Sequence, residues 1–175
     1  LVSRKISDLA EEKLSKEFDV YLNLKDIKYS DEELIHLASK FDGIISTGWD
    51  NLGSNFFENL GDRVKIISQV GVGFDNISIE SARKKNIKIT NTPNVLNESV
   101  AEITMLLILA ASRRAAEGYN IVRSNNWKNL PPDLTKTMIG NSVTGKTLGI
   151  IGMGRIGRMA AKSAKAFGMK IIYYN

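Results

Sequence analysis

The chain has 175 residues, 43% of them hydrophobic and 25% charged, which is the balance of a soluble globular protein long enough for one full domain or two partial ones. It has no cysteine, so disulfides and thiolate metal sites are excluded and a reducing compartment such as the cytoplasm fits. The longest apolar run, Ile103 to Ala111, is too short to span a bilayer. The formal net charge of +5 comes from scattered basic residues, such as Lys84-Lys85 and Arg113-Arg114, with no stripe interleaved with aromatics, so no nucleic-acid partner is expected.

The chain opens at Leu1 rather than Met, which reads as a start clipped inside a first strand. Ser7 is placed to cap a helix through about Glu17, with Leu9, Ala10, Leu14 and Phe18 on one face. Val20-Tyr-Leu22 reads as a short strand, and Ser30-Asp-Glu-Glu33 as a capping box opening a helix to about Lys40. Strands are expected at Gly43 to Thr47, Val64 to Ser68 and Ile87 to Thr90. Short helices are expected between them, at Asn55 to Leu60 and from Ser78 to about Lys85. Strands separated by single helices imply a parallel, doubly wound α/β sheet.

Thr92-Pro-Asn94 marks a break. From Asn97 or Ser99 a long helix is expected through Arg114 and on toward Arg123, with Ser99-x-x-Glu102 as a capping box. Its centre is apolar nearly all round, which calls for burial against two surfaces. Residues 124 to 146, with Pro131-Pro132, Gly140 and Gly145, read as an irregular loop.

The most informative segment follows, Thr147-Leu-Gly-Ile-Ile-Gly-Met-Gly-Arg-Ile-Gly-Arg158. A strand (Leu148 to Ile151) turns through Gly152-x-Gly154-x-x-Gly157 into a helix running to Phe167, and a second strand spans Lys170 to Tyr174. This is the context that makes a G-x-G-x-x-G a dinucleotide-binding fingerprint. Gly152 allows the tight turn, Gly154 lets the backbone approach a pyrophosphate, and Gly157 lets the helix pack on the strand. The free amides and positive dipole end of that helix then hold the phosphates.

Gly140-Asn-Ser-Val-Thr-Gly145-Lys146-Thr147 matches the P-loop pattern letter for letter. A P-loop must feed a helix, however, and the residues after Thr147 form a strand, so the match is rejected. The lone histidine, His36, sits inside the helix begun by Ser30 and is assigned no chemistry; no metal site and no catalytic cluster is evident.

Three segments taken together resemble the D-isomer-specific 2-hydroxyacid dehydrogenase family, nearest its glyoxylate/hydroxypyruvate reductases. They are Gln69-Val-Gly-Val-Gly-Phe-Asp-Asn76, Thr92-Pro-Asn-Val-Leu-Asn-Glu-Ser-Val-Ala-Glu102, and Gly145-Lys-Thr-Leu-Gly-Ile-Ile-Gly-Met-Gly-Arg-Ile-Gly157. The resemblance covers essentially the whole chain. It implies a flavodoxin-like substrate lobe over 1–95, followed by the first part of a Rossmann NAD(P)-binding domain over 96–175, with the helix from Asn97 as a homodimer interface. It implies a small 2-oxo or 2-hydroxy acid as substrate and NADP or NAD as cofactor.

By that resemblance the backbone amides of Val72-Gly73 hold the substrate carboxylate; from the residues alone the loop reads equally as an ordinary glycine-rich turn. Thr47 and Gly48 end a strand, where open α/β sheets bind ligands, and so are candidates to border the substrate. Gly152, Gly154, Arg155, Ile156 and Gly157 are assigned to the cofactor, with the pyrophosphate on Gly154, Arg155 and Ile156. Thr104 matches a position near the nicotinamide in some relatives, although helical packing accounts for a Thr there equally well. Asn175 lies eighteen residues after Gly157, where NAD-selective enzymes place an acid on the ribose hydroxyls. An uncharged Asn there is expected to tolerate the 2′-phosphate of NADP. The family's catalytic Arg, Glu and His follow the second strand of the cofactor lobe. No residue here matches them, so the chain is expected to be a fragment and inactive by itself. The alternatives are a phosphoglycerate or other D-2-hydroxyacid dehydrogenase, and a non-catalytic NAD(H)-sensing interaction protein on the same fold.

Overall fold

The structure is a computed structural model that describes residues 1–130 and 138–175. It divides into two compact units, Leu1–Pro93 and Asn94–Asn175. Part of the loop expected over 124 to 146, residues 131–137, lies outside the described residues.

In the first unit, helices α1 (Asp8–Glu17), α2 (Asp31–Ala38), α3 (Ser54–Asn59) and α4 (Ile79–Lys84) alternate with strands β1 (Gly43–Thr47), β2 (Ile66–Val70) and β3 (Lys88–Thr90). The strands are parallel, in the order β1-β2-β3, with Gly43 opposite Ile66 and Ile66 opposite Lys88. Two single bridges extend the sheet, because Val2 pairs in parallel with both Leu22 and Ile45. The five extended segments therefore run Leu22, Val2, β1, β2, β3 across the sheet. In chain order this is 2-1-3-4-5, the flavodoxin-like arrangement.

The caps act as the sequence predicts. Ser7 caps α1, and Ser30 forms a complete capping box with Glu33 at the start of α2. Inward positions of β1 and β2, Ile44 and Ile67, meet Leu34 and Ala38 of α2, Phe56 and Phe57 of α3 and Ala82 of α4 in one buried cluster. Phe56 and Phe57 pack edge to face at 5.3 Å. Burial of each such side chain contributes about 1.5–3 kcal/mol relative to exposure.

Three expectations for this unit are corrected. Leu9 and Phe18 are exposed, at 79% and 63%, while Glu11 is the buried residue of α1. Glu11 accepts hydrogen bonds from Lys5 Nζ and from the Ile6 amide, so the helix docks on the preceding loop through a satisfied carboxylate rather than through an apolar stripe. Val20 to Leu22 makes one bridge rather than a strand. β2 begins at Ile66, because Val64 is spent in the core before the ladder starts.

In the second unit, α5 (Asn97–Ser112) and α6 (Ala115–Arg123) precede a 3-10 turn at Trp127–Asn129. A βαβ unit follows, β4 (Thr147–Ile151), α7 (Arg155–Ala166) and β5 (Lys170–Tyr174). β4 and β5 are parallel, with Thr147 opposite Lys170. Ala160, Ala161 and Ala164 are the buried residues of α7, and Ala164 joins Met105 of α5 and Met169 in a small core. Thr147 lies in a strand, as the rejection of a P-loop requires.

The long helix departs from expectation in three ways. It starts after Leu96 with no side-chain cap, so Ser99 lies inside the first turn and forms no capping box. It breaks at Arg114, which adopts a left-handed conformation (φ 55°). There the Ser112 carbonyl accepts the Asn141 amide at 2.7 Å, and Gly140 is pressed so close that a Cβ would lie 2.5 Å from the same oxygen. Its apolar centre is also only partly covered among the described residues: Ala101 and Met105 are buried, whereas Ile103, Leu106 and Leu107 are exposed.

Candidate functional site

The expected site residues fall into two groups, one in each unit. In the first unit, β2 ends at Val70 and the chain enters the loop 71–76. An open cavity of about 540 Å³ lies there, lined by Gly48, Gln69, Gly71, Gly73, Asp75 and Asn76. The Val72 and Gly73 amides donate to no group among the described residues. Gly48 shares the cavity wall. Thr47 does not line it: its amide and hydroxyl both point to the Asp50 carboxylate, at 2.7 and 3.3 Å.

The loop is held from behind by a polar network that no sequence pattern exposed. Ser46 donates to Gln69 Oε1 at 2.8 Å, and Gln69 Nε2 donates to Asn76 Oδ1 at 2.9 Å. Asn76 Nδ2 in turn donates to the carbonyls of Asp50 and Thr47, at 2.9 and 3.2 Å. Ser3, fully buried, donates to Asp50 Oδ2 at 2.6 Å. On the far side Asn91 Nδ2 donates to the Val72 carbonyl at 2.9 Å, and Thr92 exchanges two hydrogen bonds with Gly71. The available signal was modest: Ser46 and Gln69 are polar residues at inward strand positions, where an apolar residue is the norm.

Chemically, the loop offers two unspent amide donors at the carboxyl end of a strand, groups able to receive a carboxylate; Gly73 lines the cavity, whereas Val72 does not. Asp75 is the acid in that wall, and it weighs against an anion approaching from its side.

In the second unit the glycine turn has the geometry its spacing predicts. Gly152 sits at φ +92°, a backbone conformation that a side chain disfavours. A Cβ on Gly157 would lie 2.3 Å from the Gly152 carbonyl oxygen, so only glycine lets α7 start this close to β4. Gly154 is the opposite case, with nothing within 4 Å of its would-be Cβ, so the space in front of α7 is open. Gly154 caps the helix without a side-chain bond, and its carbonyl accepts the Arg158 backbone amide at 3.0 Å. The amides of Arg155, Ile156 and Gly157 donate to nothing among the described residues. Open space, unspent amides and the positive end of a twelve-residue helix fit a dinucleotide pyrophosphate.

Two further expected cofactor residues are placed plainly. The Thr104 hydroxyl donates to the Val100 carbonyl at 2.7 Å, back onto its own helix. Asn175, just after β5, accepts the Met153 amide with its side-chain oxygen at 2.6 Å. His36 is exposed on α2.

A flavodoxin-like parallel unit, followed by a βαβ unit that opens on a glycine turn, defines an α/β protein with parallel sheets. Residues 1–169 match the model for the D-isomer specific 2-hydroxyacid dehydrogenase catalytic domain, and the chain belongs to that family. The glyoxylate reductase of Aeropyrum pernix is 41% identical over 175 residues, which is 99% of this chain and 52% of that protein. The chain thus spans about half the length of the curated relatives it matches. Among solved structures, the TT0316 protein from Thermus thermophilus superposes with a TM-score of 0.85 at 34% identity, covering 98% of this chain and 54% of that one. An acyclic imino acid reductase solved with NADPH and D-Arg gives a TM-score of 0.82 at 25% identity, covering 98% and 53%.

Proposed function

We propose that the protein carrying this chain reduces a small 2-oxo acid of the glyoxylate or hydroxypyruvate type to the D-2-hydroxy acid. Leu1–Pro93 serves as the substrate-binding lobe and Asn94 onward begins the cofactor lobe. The observation that carries the proposal is one chain holding two separate sets of unspent backbone amides. One is at the Val72-Gly73 loop after β2, and the other at the start of α7 behind an open Gly154. The names of the relatives, glyoxylate reductases among them, support the substrate class.

In this reading the substrate carboxylate rests on the Val72 and Gly73 amides, with Gly48 at the cavity rim. The pyrophosphate rests on Gly154, Arg155 and Ile156, and the bound NADPH or NADH supplies the hydride. In this reading the chain's own part is to bind and orient the two ligands. Asn175 puts no charge where a 2′-phosphate would lie, which favours tolerance of NADP. The exposed Ile103, Leu106 and Leu107 on the helix from Asn97 support that helix as the interface of a homodimer.

The test is turnover by the full-length protein on glyoxylate, hydroxypyruvate and larger 2-oxo acids, followed by oxidation of NADPH or NADH. Reduction of glyoxylate or hydroxypyruvate is expected. Preference for a phosphorylated or larger acid would move the protein elsewhere within the family. Cofactor binding with no turnover on any 2-oxo acid would overturn the enzymatic reading in favour of a sensor.

A further inference from the structure

Resting on the reading of Val72 and Gly73 as the carboxylate donors, we infer that Asn91 and Thr92 are positioning residues that aim those two amides at the substrate. Across a trans peptide the carbonyl of one residue and the amide of the next point in opposite directions, and no cis peptide occurs among the described residues. Fixing a carbonyl therefore fixes the direction of the following N–H.

Both relevant peptides are fixed at the carbonyl end by the segment after β3. The Gly71 carbonyl accepts the Thr92 amide at 3.0 Å, which turns the Val72 N–H away from that segment. The Val72 carbonyl accepts Asn91 Nδ2 at 2.9 Å, which turns the Gly73 N–H away likewise. Thr92 holds Gly71 a second time, because its hydroxyl accepts the Gly71 amide at 3.1 Å. Gln69 Nε2, within 3.4 Å of the Gly73 carbonyl, steadies the next peptide.

An external clamp matters here because of the glycines. Gly71 and Gly73 carry no Cβ to restrict rotation, so their own backbone preferences do not choose between the two faces of each peptide. A flipped peptide would present a carbonyl oxygen where the amide should be and would repel a carboxylate. Asn91 and Thr92 supply the restraint that the loop lacks, from about twenty residues away in sequence, without touching the substrate.

The experiment uses the full-length protein with Asn91→Ala, Asn91→Asp, Thr92→Val and Thr92→Ser. It reads KM and kcat for the 2-oxo acid, the Kd of oxamate in the presence of cofactor, and the Kd of NADPH alone. Asn91→Asp keeps the shape but loses the donor, and Thr92→Val loses the acceptor for Gly71. Asn91→Asp is expected to raise KM and the oxamate Kd about tenfold, the size of a charge-assisted hydrogen bond, and Thr92→Val, which keeps the backbone bond to the Gly71 carbonyl, to raise them about threefold, with kcat within about threefold in both. NADPH affinity is expected to be unchanged, and Thr92→Ser, which keeps the hydroxyl, to behave as wild type. Should Asn91→Asp fail to fold, Asn91→Ala and Thr92→Val carry the same readout. Wild-type KM in those variants overturns the inference, as does a loss shared equally by NADPH binding. A wild-type protein that neither binds oxamate nor turns over sinks the functional reading itself. One that does both while the variants match it sinks only the role of Asn91 and Thr92.

Discussion

The Met153 amide donates to the Asn175 side-chain oxygen at 2.6 Å, tying the residue that follows β5 to the glycine turn that follows β4. The same residue thus buttresses the turn and sets the charge at its rim. Asn175→Asp keeps an oxygen for Met153 but adds a negative charge. It is expected to leave NADH affinity near wild type while weakening NADPH about tenfold or more, by repulsion of the 2′-phosphate. Cofactor titrations of the full-length variant check this, and unchanged NADPH affinity would remove Asn175 from the ribose site.

Gly157 and Gly152 leave no room between them, since an added Cβ meets backbone rather than a movable side chain. Gly157→Ala is expected to force α7 off β4 and destabilise the second unit by about 1–3 kcal/mol, as overpacking does. Pyrophosphate affinity should fall with it, because the amides of Arg155 and Ile156 move together with the helix. Thermal unfolding with and without NADPH measures both effects; full retention of the two would contradict the close approach. Gly154→Ala meets no neighbour and serves as the comparison, expected to keep stability and to lose cofactor binding.

Asp50 is the buried acceptor that joins Ser3, beside the Val2 bridges, to Thr47 at the end of β1. Asp50→Ala strands the Ser3 hydroxyl and the Thr47 amide, at about 1–3 kcal/mol for each group left unpaired. Asp50→Asn retains one acceptor oxygen and is expected to lose less. Urea unfolding of both variants gives the comparison, and equal stability of wild type and Asp50→Ala would refute the role assigned to this network.

Asp26 accepts Arg4 Nε at 2.7 Å, Arg4 Nη2 at 3.0 Å and the Lys5 amide at 3.1 Å. The hydrogen bond from Arg4, with that of the Lys5 backbone, holds its carboxyl below the usual range. The folded pKa is the lower one. The stabilisation is therefore fully present above the unfolded value of about 3.9 and is lost as pH falls through the folded value. Asp26 has a positive φ of 50°, which Asn also tolerates, so Asp26→Asn isolates the charge. The variant is expected to be modestly less stable than wild type at neutral pH and to match it in strong acid. A constant difference across that range would show that the ion pair is not its source.

The parts of this fold that were legible in the sequence are those whose cause lies within a few residues. Ser30 and Glu33 cap α2 because each reaches a backbone group three positions away. The glycine turn was legible for the same reason: each glycine answers a local demand on backbone angle or clearance. Leu9 and Phe18 were misread because periodicity reports which face of a helix is apolar, whereas the Lys5 and Ile6 groups of the loop before α1 claimed Glu11 instead. The break at Arg114 was hidden for a related reason. Its partners, Gly140 and Asn141, arrive from a distant loop, and neither Arg113 nor Arg114 is a helix breaker.

The amino-acid sequence by itself determined the alternation of strands and helices, the glycine turn and the family, since residue type and short spacing carry that information. Tertiary structure alone decided which way the Val72 and Gly73 amides face, because glycine backbones have no preference of their own. The hydrogen bonds that choose come from Asn91 and Thr92, brought beside the loop only when β3 pairs with β2.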